Sequence, residues 1–295
     1  MPVRNSAAGE APFVLPGKIV DVSGRGEMFV RHHQHADSTA PTLLLLHGWT
    51  ASCDSQFFAA YEELSRHFSI IGVDHRGHGR GLRPSVPVTL EDCADDAAAV
   101  AKELGATSVI TVGYSMGGPI SLLTAQRHPE LVSGMVLQAT ALEWSGTRKE
   151  KNRMRFIGPM AHFISRPRVL RFFFNRTLPR GHETRRYVSW MIAENRRNDP
   201  WMIAEAGRGI ATFDARQFAP TLNKPSSFVF TLRDTVVLPH KQQALAAAMN
   251  AQILELDGDH MAPILMPREF AVVTRQAVDL VGAAIQQRLA SQAPR

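Results

Sequence analysis

Three side chains in this sequence are of types that together break acyl bonds: Ser115, Asp234 and His260. A serine hydroxyl is a weak nucleophile until a base takes its proton. Histidine is such a base near neutral pH, and a carboxylate behind it fixes the ring tautomer and stabilises the ring cation. Ser115 stands at the centre of Gly113-Tyr114-Ser115-Met116-Gly117, with Gly118 next. Glycines on both sides let a strand and a helix approach closely around a serine held in a strained backbone conformation. The plain alternative is a glycine-rich turn whose serine caps a helix.

The elements around each residue argue for the chemical reading. Ser108 to Val112 is a β-branched run that predicts a buried strand, and Pro119 to Arg127 predicts a helix. A strand turning into a helix through this serine is a nucleophile elbow. Upstream, Thr42 to Leu46 predicts a strand that ends in His47-Gly48-Trp49. Acyl transfer needs two fixed N–H donors for the developing oxyanion. The backbone amide of Met116, after the serine, and that of Trp49, in the upstream loop, are the candidates. Downstream, the strand Ser227 to Leu232 leads to Arg233-Asp234, and the strand Ile253 to Leu256 leads to Asp257-Gly258-Asp259-His260. Glu143 is a second candidate acid, after the preceding strand. Asp257 and Asp259 are too near His260 in sequence to orient it comfortably.

From about Lys18 to Leu289 the chain resembles the α/β-hydrolase-fold serine hydrolases, esterase- and lipase-like members with a helical cap. The marks are His47-Gly48-Trp49, Asp74-His75-Arg76-Gly77-His78-Gly79, Gly113 to Gly118, Asp234 at a strand end, and Gly258-Asp259-His260. The resemblance implies a mostly parallel central sheet flanked by helices, with the core at 1–144 and 223–295 and an inserted helical cap at 145–222. It implies a carboxylic ester hydrolase (EC 3.1.1) with catalytic Ser115, Asp234 and His260, an oxyanion hole at Trp49 and Met116, and no cofactor or metal. Carbon–carbon bond hydrolases, perhydrolases and acyltransferases keep a serine triad on this fold and stay open. Ser115 argues against epoxide hydrolysis and dehalogenation, which use aspartate there. A non-enzymatic small-ligand receptor is the alternative of another class.

Composition bounds the rest. The chain has 295 residues, 44% of them hydrophobic, enough for one large α/β unit with an insertion. Its two cysteines, Cys53 and Cys93, suggest no disulfide framework and are expected to be packed. The N-terminal residues lack the apolar core of a signal peptide, so a cytoplasmic enzyme is expected. The formal charge of +6 is uneven: residues 145–220 carry 16 Lys and Arg against six Asp and Glu, and the remainder 17 against 21. The basic charge thus belongs to the predicted cap.

The segment 145–222 breaks the strand–helix rhythm with Gly158-Pro159, Arg166-Pro167, Leu178-Pro179 and Asp199-Pro200. Its apolar residues, Phe172, Phe173, Phe174 and Trp201 among them, are expected to roof a pocket, with Phe156, Met160, Phe163 and Trp190 as candidate substrate contacts and the phenylalanine run packed between the cap helices and the sheet domain. The expected partner is a small hydrophobic ester or acyl compound. A sharper reading makes Phe172 to Phe174, beside Arg168, Arg171 and Arg176, a patch for an anionic membrane. No nucleic acid is expected, because no binding module accompanies the charge. His32-His33-Gln34-His35 invites a metal reading, but a solvated turn between the second and third strands is expected. The glycine-rich loop after Asp74 lacks the lysine of a phosphate loop, and Pro84 and Pro87 block the helix a dinucleotide site needs. Asp74 and Arg76 are expected to pin that loop.

Overall fold

Successive leucines of one strand serve two cores. Leu43 and Leu45 of β3 (Thr42–Leu46) face one apolar cluster and Leu44 and Leu46 the other. A strand buried on both faces lies inside a sheet covered by helices on both sides. The computed structural model describes residues 10–148, 150, 152, 156, 163 and 166–292. Its sheet has eight strands: β1 (Gly17–Val22), β2 (Gly26–His33), β3, β4 (Ser69–Val73), β5 (Val109–Tyr114), β6 (Val132–Gln138), β7 (Ser226–Thr231) and β8 (Gln252–Leu256), ordered β1-β2-β4-β3-β5-β6-β7-β8. The first two pairings are antiparallel and the rest parallel. This is the expected α/β-hydrolase architecture.

One layer holds α1 (Cys53–Ser65) and the long helix Pro267–Gln292, which pack on each other and on the strands. The other holds α2 (Leu90–Glu103) and α3 (Gly117–Arg127). Helix α1 starts at Cys53 because Ser52 and Ser55 form a reciprocal capping box. Cys53 and Cys93 are both buried and unpaired.

Between β6 and β7 lie α4 (Pro167–Thr177), a 3-10 turn (Glu183–Tyr187), α5 (Val188–Asn195) and α6 (Pro200–Thr212). The X-Pro pairs at Arg166-Pro167 and Asp199-Pro200 are helix starts, where proline needs no partner for its missing N–H. Asp199 also accepts from the Trp201 and Met202 amides at 2.9 and 3.1 Å. The Gly158-Pro159 pair lies outside the described residues. Leu170, Phe174, Leu178, Val188, Met191 and Ile192 form a small core of their own. That core packs on Met261, Ile264 and Leu265, just after His260. Helix α6 instead joins the α2 and α3 side through Ala206 and Ile210.

Two expectations are corrected. His32 and His33 do not sit in a solvated turn: β2 runs on through them, pairing with Ile71 and Ile70 of β4. The antiparallel ladder uses their backbone whatever their side chains prefer. The phenylalanine run does not pack as a unit. Only Phe174 is buried, while Phe172 and Phe173 are 73% and 38% exposed. An 11-residue helix with one inward stripe seats Leu170 and Phe174, four residues apart, and turns the neighbours away.

Candidate active site

The carboxyl ends of β5, β7 and β8 deliver three side chains to one line. His260 Nε2 lies 3.0 Å from Ser115 Oγ, and His260 Nδ1 lies 2.8 Å from Asp234 Oδ2. Ser115 has φ = +54°, in the left-handed region, with only 7% of its surface exposed. The close approach that forces this turn leaves no room for side chains. A Cβ on Gly117 would lie 1.9 Å from the Leu46 carbonyl oxygen, and one on Gly113 2.3 Å from that of Gly117. The Ser115 amide donates to Gln138 O at 2.9 Å, tying the elbow to β6.

Asp234 is buried, and every lone-pair direction is used. Its Oδ1 accepts from the Val236 and Val237 amides, both at 2.8 Å, and its Oδ2 accepts from Thr231 Oγ1 at 2.9 Å as well as from His260. Burial by itself would raise its pKa. The hydrogen bond and charge of His260, with the Val237 amide and Thr231 hydroxyl, outweigh burial and hold the carboxyl below its ordinary value. The other acids near His260 are occupied elsewhere. Asp259 caps the Met261 amide at 2.8 Å, Asp257 pairs with Arg233 at 3.0 Å, and Glu143 pairs with Lys241 at 2.8 Å.

The amides of Trp49 and Met116 have no acceptor among the described residues, whereas the Gly48 amide donates to Gln56 Oε1 at 3.3 Å. Two free N–H groups beside a nucleophile can hold an oxyanion. The upstream loop is fastened to the insert by contacts that the sequence reading missed. Thr50 has φ = +65°, and its carbonyl accepts from Asn195 Nδ2 at 3.1 Å and Asn198 Nδ2 at 2.7 Å. Trp49 Nε1 donates to Ile203 O at 2.8 Å. Asn198 Oδ1 also accepts from the Gly79 amide at 2.8 Å, and Arg80 grips the buried Glu194 with two hydrogen bonds of 2.8 and 2.9 Å. Asparagines spaced three apart carry no recognisable motif, so only the fold could reveal them. Tyr114 was in view as an elbow residue, but its task was not: its hydroxyl donates to the His260 carbonyl at 3.0 Å.

The expected apolar contacts divide. Trp190 is half-buried and stands edge-on to Phe58, with ring centroids 5.7 Å apart. Phe156, Phe163 and Trp201 stand 70%, 56% and 83% exposed, so they do not close over Ser115. Met160 lies outside the described residues.

The glycine-rich loop behind the site is pinned as expected by Asp74, which accepts from the Cys53 and Arg80 amides at 2.7 Å each. Arg76 reaches a different partner, the buried Asp96 of α2, at 2.6 and 3.0 Å. Here His47, His75 and His78 are all fully buried, with the His47 ring 4.3 Å from that of His75 and 5.1 Å from that of His78. Burial holds the His75 and His78 pKa values down to about 3 and about 4, and that of His47 well below its ordinary value. The sign follows. These rings stay neutral in the folded protein but take protons near pH 6.5 once unfolded, so stability is full above pH 6.5 and is lost as pH falls. By pH 5 His75 and His78 are each expected to cost about 2 kcal/mol. Asp74, raised by burial to about 6, works in the opposite sense. It gives back only about 1 kcal/mol by pH 5. Urea midpoints should therefore drop between pH 7 and pH 5, and less so in His75→Leu. Parallel drops in both proteins would mean that His75 titrates in the folded state.

A sequence model of the alpha/beta hydrolase fold matches residues 41–267, a span that contains the serine, the acid and the histidine. The chain belongs to the α/β-hydrolase fold family. This α/β hydrolase is 26% identical to a pimeloyl-[acyl-carrier protein] methyl ester esterase of Stenotrophomonas maltophilia, over 93% of this chain and 97% of that protein. A 2-(acetamidomethylene)succinate hydrolase of Mesorhizobium japonicum is 35% identical over 33% of this chain, a stretch that spans only 35% of its own length. A putative carbamate hydrolase of Agrobacterium fabrum is also 35% identical, over 36% of this chain and 40% of its own length. Among solved structures, the enol-lactonase of Burkholderia xenovorans superposes with a TM-score of 0.73 at 24% identity, over 90% of this chain and 100% of its own. An esterase of Exiguobacterium antarcticum reaches 0.76 at 19% identity, with the same shares of 90% and 100%. At those identities the likeness shows the fold.

Proposed function

We infer that this α/β hydrolase is a serine hydrolase cleaving a carboxylic ester or a related acyl compound of apolar character. The observation that carries the reading is the hydrogen-bonded line from Ser115 Oγ through the His260 ring to Asp234 Oδ2. Ser115 Oγ attacks the carbonyl carbon as its proton passes to His260 Nε2. The carbonyl oxygen becomes an oxyanion held by the Trp49 and Met116 amides. His260 then gives its proton to the departing alcohol, and the acyl group stays on Ser115. Water loses a proton to His260 as it attacks the acyl-enzyme, and Ser115 regains a proton as the acid leaves. Asp234 keeps Nδ1 protonated throughout, so Nε2 is the free base.

Residues 1–144 and 223–295 serve in this reading as the catalytic core and 145–222 as its cap. Similarity to an esterase over 93% of this chain supports ester chemistry. The apolar character is inferred from the aromatic side chains of the insert, of which Trp190 stands half-buried against Phe58.

The test joins a fluorophosphonate label to a series of p-nitrophenyl esters from acetate to palmitate. One label per chain and measurable hydrolysis within the series are expected. An unlabelled, folded protein would overturn the reading in favour of a non-enzymatic receptor. Labelling without turnover of any ester would move the reaction to acyl transfer, perhydrolysis or carbon–carbon cleavage.

A further inference from the structure

The outer face of α4 carries a pattern that folding does not use. Phe172 is 73% exposed, with Arg168 one turn before it and Arg176 one turn after, so the three share one ridge along the helix. Phe173 is 38% exposed on the flank of the same helix. Arg166 lies over the Phe163 ring at 5.8 Å, and that ring is itself 56% exposed.

The charges around this ridge are unbalanced. Among the described residues, Arg166, Arg168, Arg171, Arg176 and Arg180 have no carboxylate within ion-pair distance, and all five are exposed. The carboxylates of the same insert turn to other partners: Glu194 to Arg80, Glu150 to Lys241, Glu183 to Arg268 and Asp214 to Arg216. An ordinary solvated face mixes both signs and keeps phenylalanine inside. This one presents a single sign with aromatic rings between the guanidiniums.

We propose that the outer face of α4 docks on an anionic lipid surface, with Phe172 and Phe173 entering the interface and the arginines on either side meeting lipid phosphates and carboxylates. An arginine-rich helix with aromatic residues among the charges suits that boundary. A second copy of this chain does not fit, because it would bring five unpaired arginines against five more. No helix among the described residues is long and apolar enough to cross a membrane, so the contact is peripheral. The small apolar patch predicts reversible attachment that depends on salt.

The experiment is co-sedimentation of the full chain with vesicles, with no turnover measured, so it stands apart from the ester reading. Vesicles of phosphatidylcholine with one quarter phosphatidylserine are compared with pure phosphatidylcholine, at low and at physiological salt. Binding at least about tenfold tighter to the anionic vesicles, weakening as salt rises, is expected. Phe172→Ser should lower that binding with the salt dependence kept. Arg168→Gln with Arg176→Gln should lower it and flatten the salt dependence. All three positions are exposed, and unchanged melting temperatures keep the comparison valid. Equal binding to both vesicle types, or binding unchanged in every variant, overturns the proposal. Retention on immobilised polyglutamate without vesicle binding also overturns it, and assigns the arginines to an acidic protein.

Discussion

Replacing Ser115 with alanine is expected to lower kcat/KM on a good ester by about 10,000-fold or more while the protein stays folded. In the proposed reaction the hydroxyl supplies the bond-forming atom, and among the described residues its side-chain hydrogen bond is to His260 at 3.0 Å. Alanine keeps the Cβ, and the φ of +54° is as strained for it as for serine, so the turn has no new reason to move. Rate measurements with a melting curve separate the two effects. The fluorophosphonate adduct should vanish in the same variant. A folded Ser115→Ala protein retaining more than about a tenth of the wild-type rate would show that another group attacks the carbonyl.

Asp234→Asn is expected to reduce kcat by about 1,000- to 10,000-fold through the tautomer of His260 rather than through lost packing. The amides of Val236 and Val237 both donate to Oδ1, so the asparagine oxygen takes that place. Its NH2 group then faces His260 Nδ1, where Oδ2 stood at 2.8 Å. Two donors in opposition force Nδ1 to give up its proton, and the ring carries it on Nε2 instead. A protonated Nε2 is no base for Ser115. Glu143→Gln is the control, because Glu143 follows β6 and is the other acid that the sequence left open. It is held by Lys241 at 2.8 Å, and its removal should leave most of the activity. Near-normal turnover in Asp234→Asn, with collapse in Glu143→Gln, would transfer the acid role to Glu143.

Much of this arrangement is legible in the chain because its signals are local. The elbow glycines, the β-branched strands and the chain order of Ser115, Asp234 and His260 all follow from short-range sterics and strand periodicity. Strand and helix limits read from the sequence lie within a few residues of those observed, as with Thr42–Leu46 for the strand and Gly117–Arg127 for the helix read as Pro119 to Arg127. What the sequence by itself determined is therefore the sheet-and-helix class and the small set of residues able to do the chemistry.

The tertiary structure decided which partners those residues meet. Asp96 rather than Asp74 receives Arg76, and Lys241 rather than His260 receives Glu143, because α2 and the helix Pro239–Ala248 bring those charges together from distant parts of the chain. Asn195 and Asn198 reach Thr50 across about 145 residues of sequence, a distance that no spacing rule spans. Which phenylalanine of Phe172-Phe173-Phe174 is buried depends on the rotation of α4 about its own axis. That rotation is set by the surface it packs against, and three identical side chains in a row leave it unspecified.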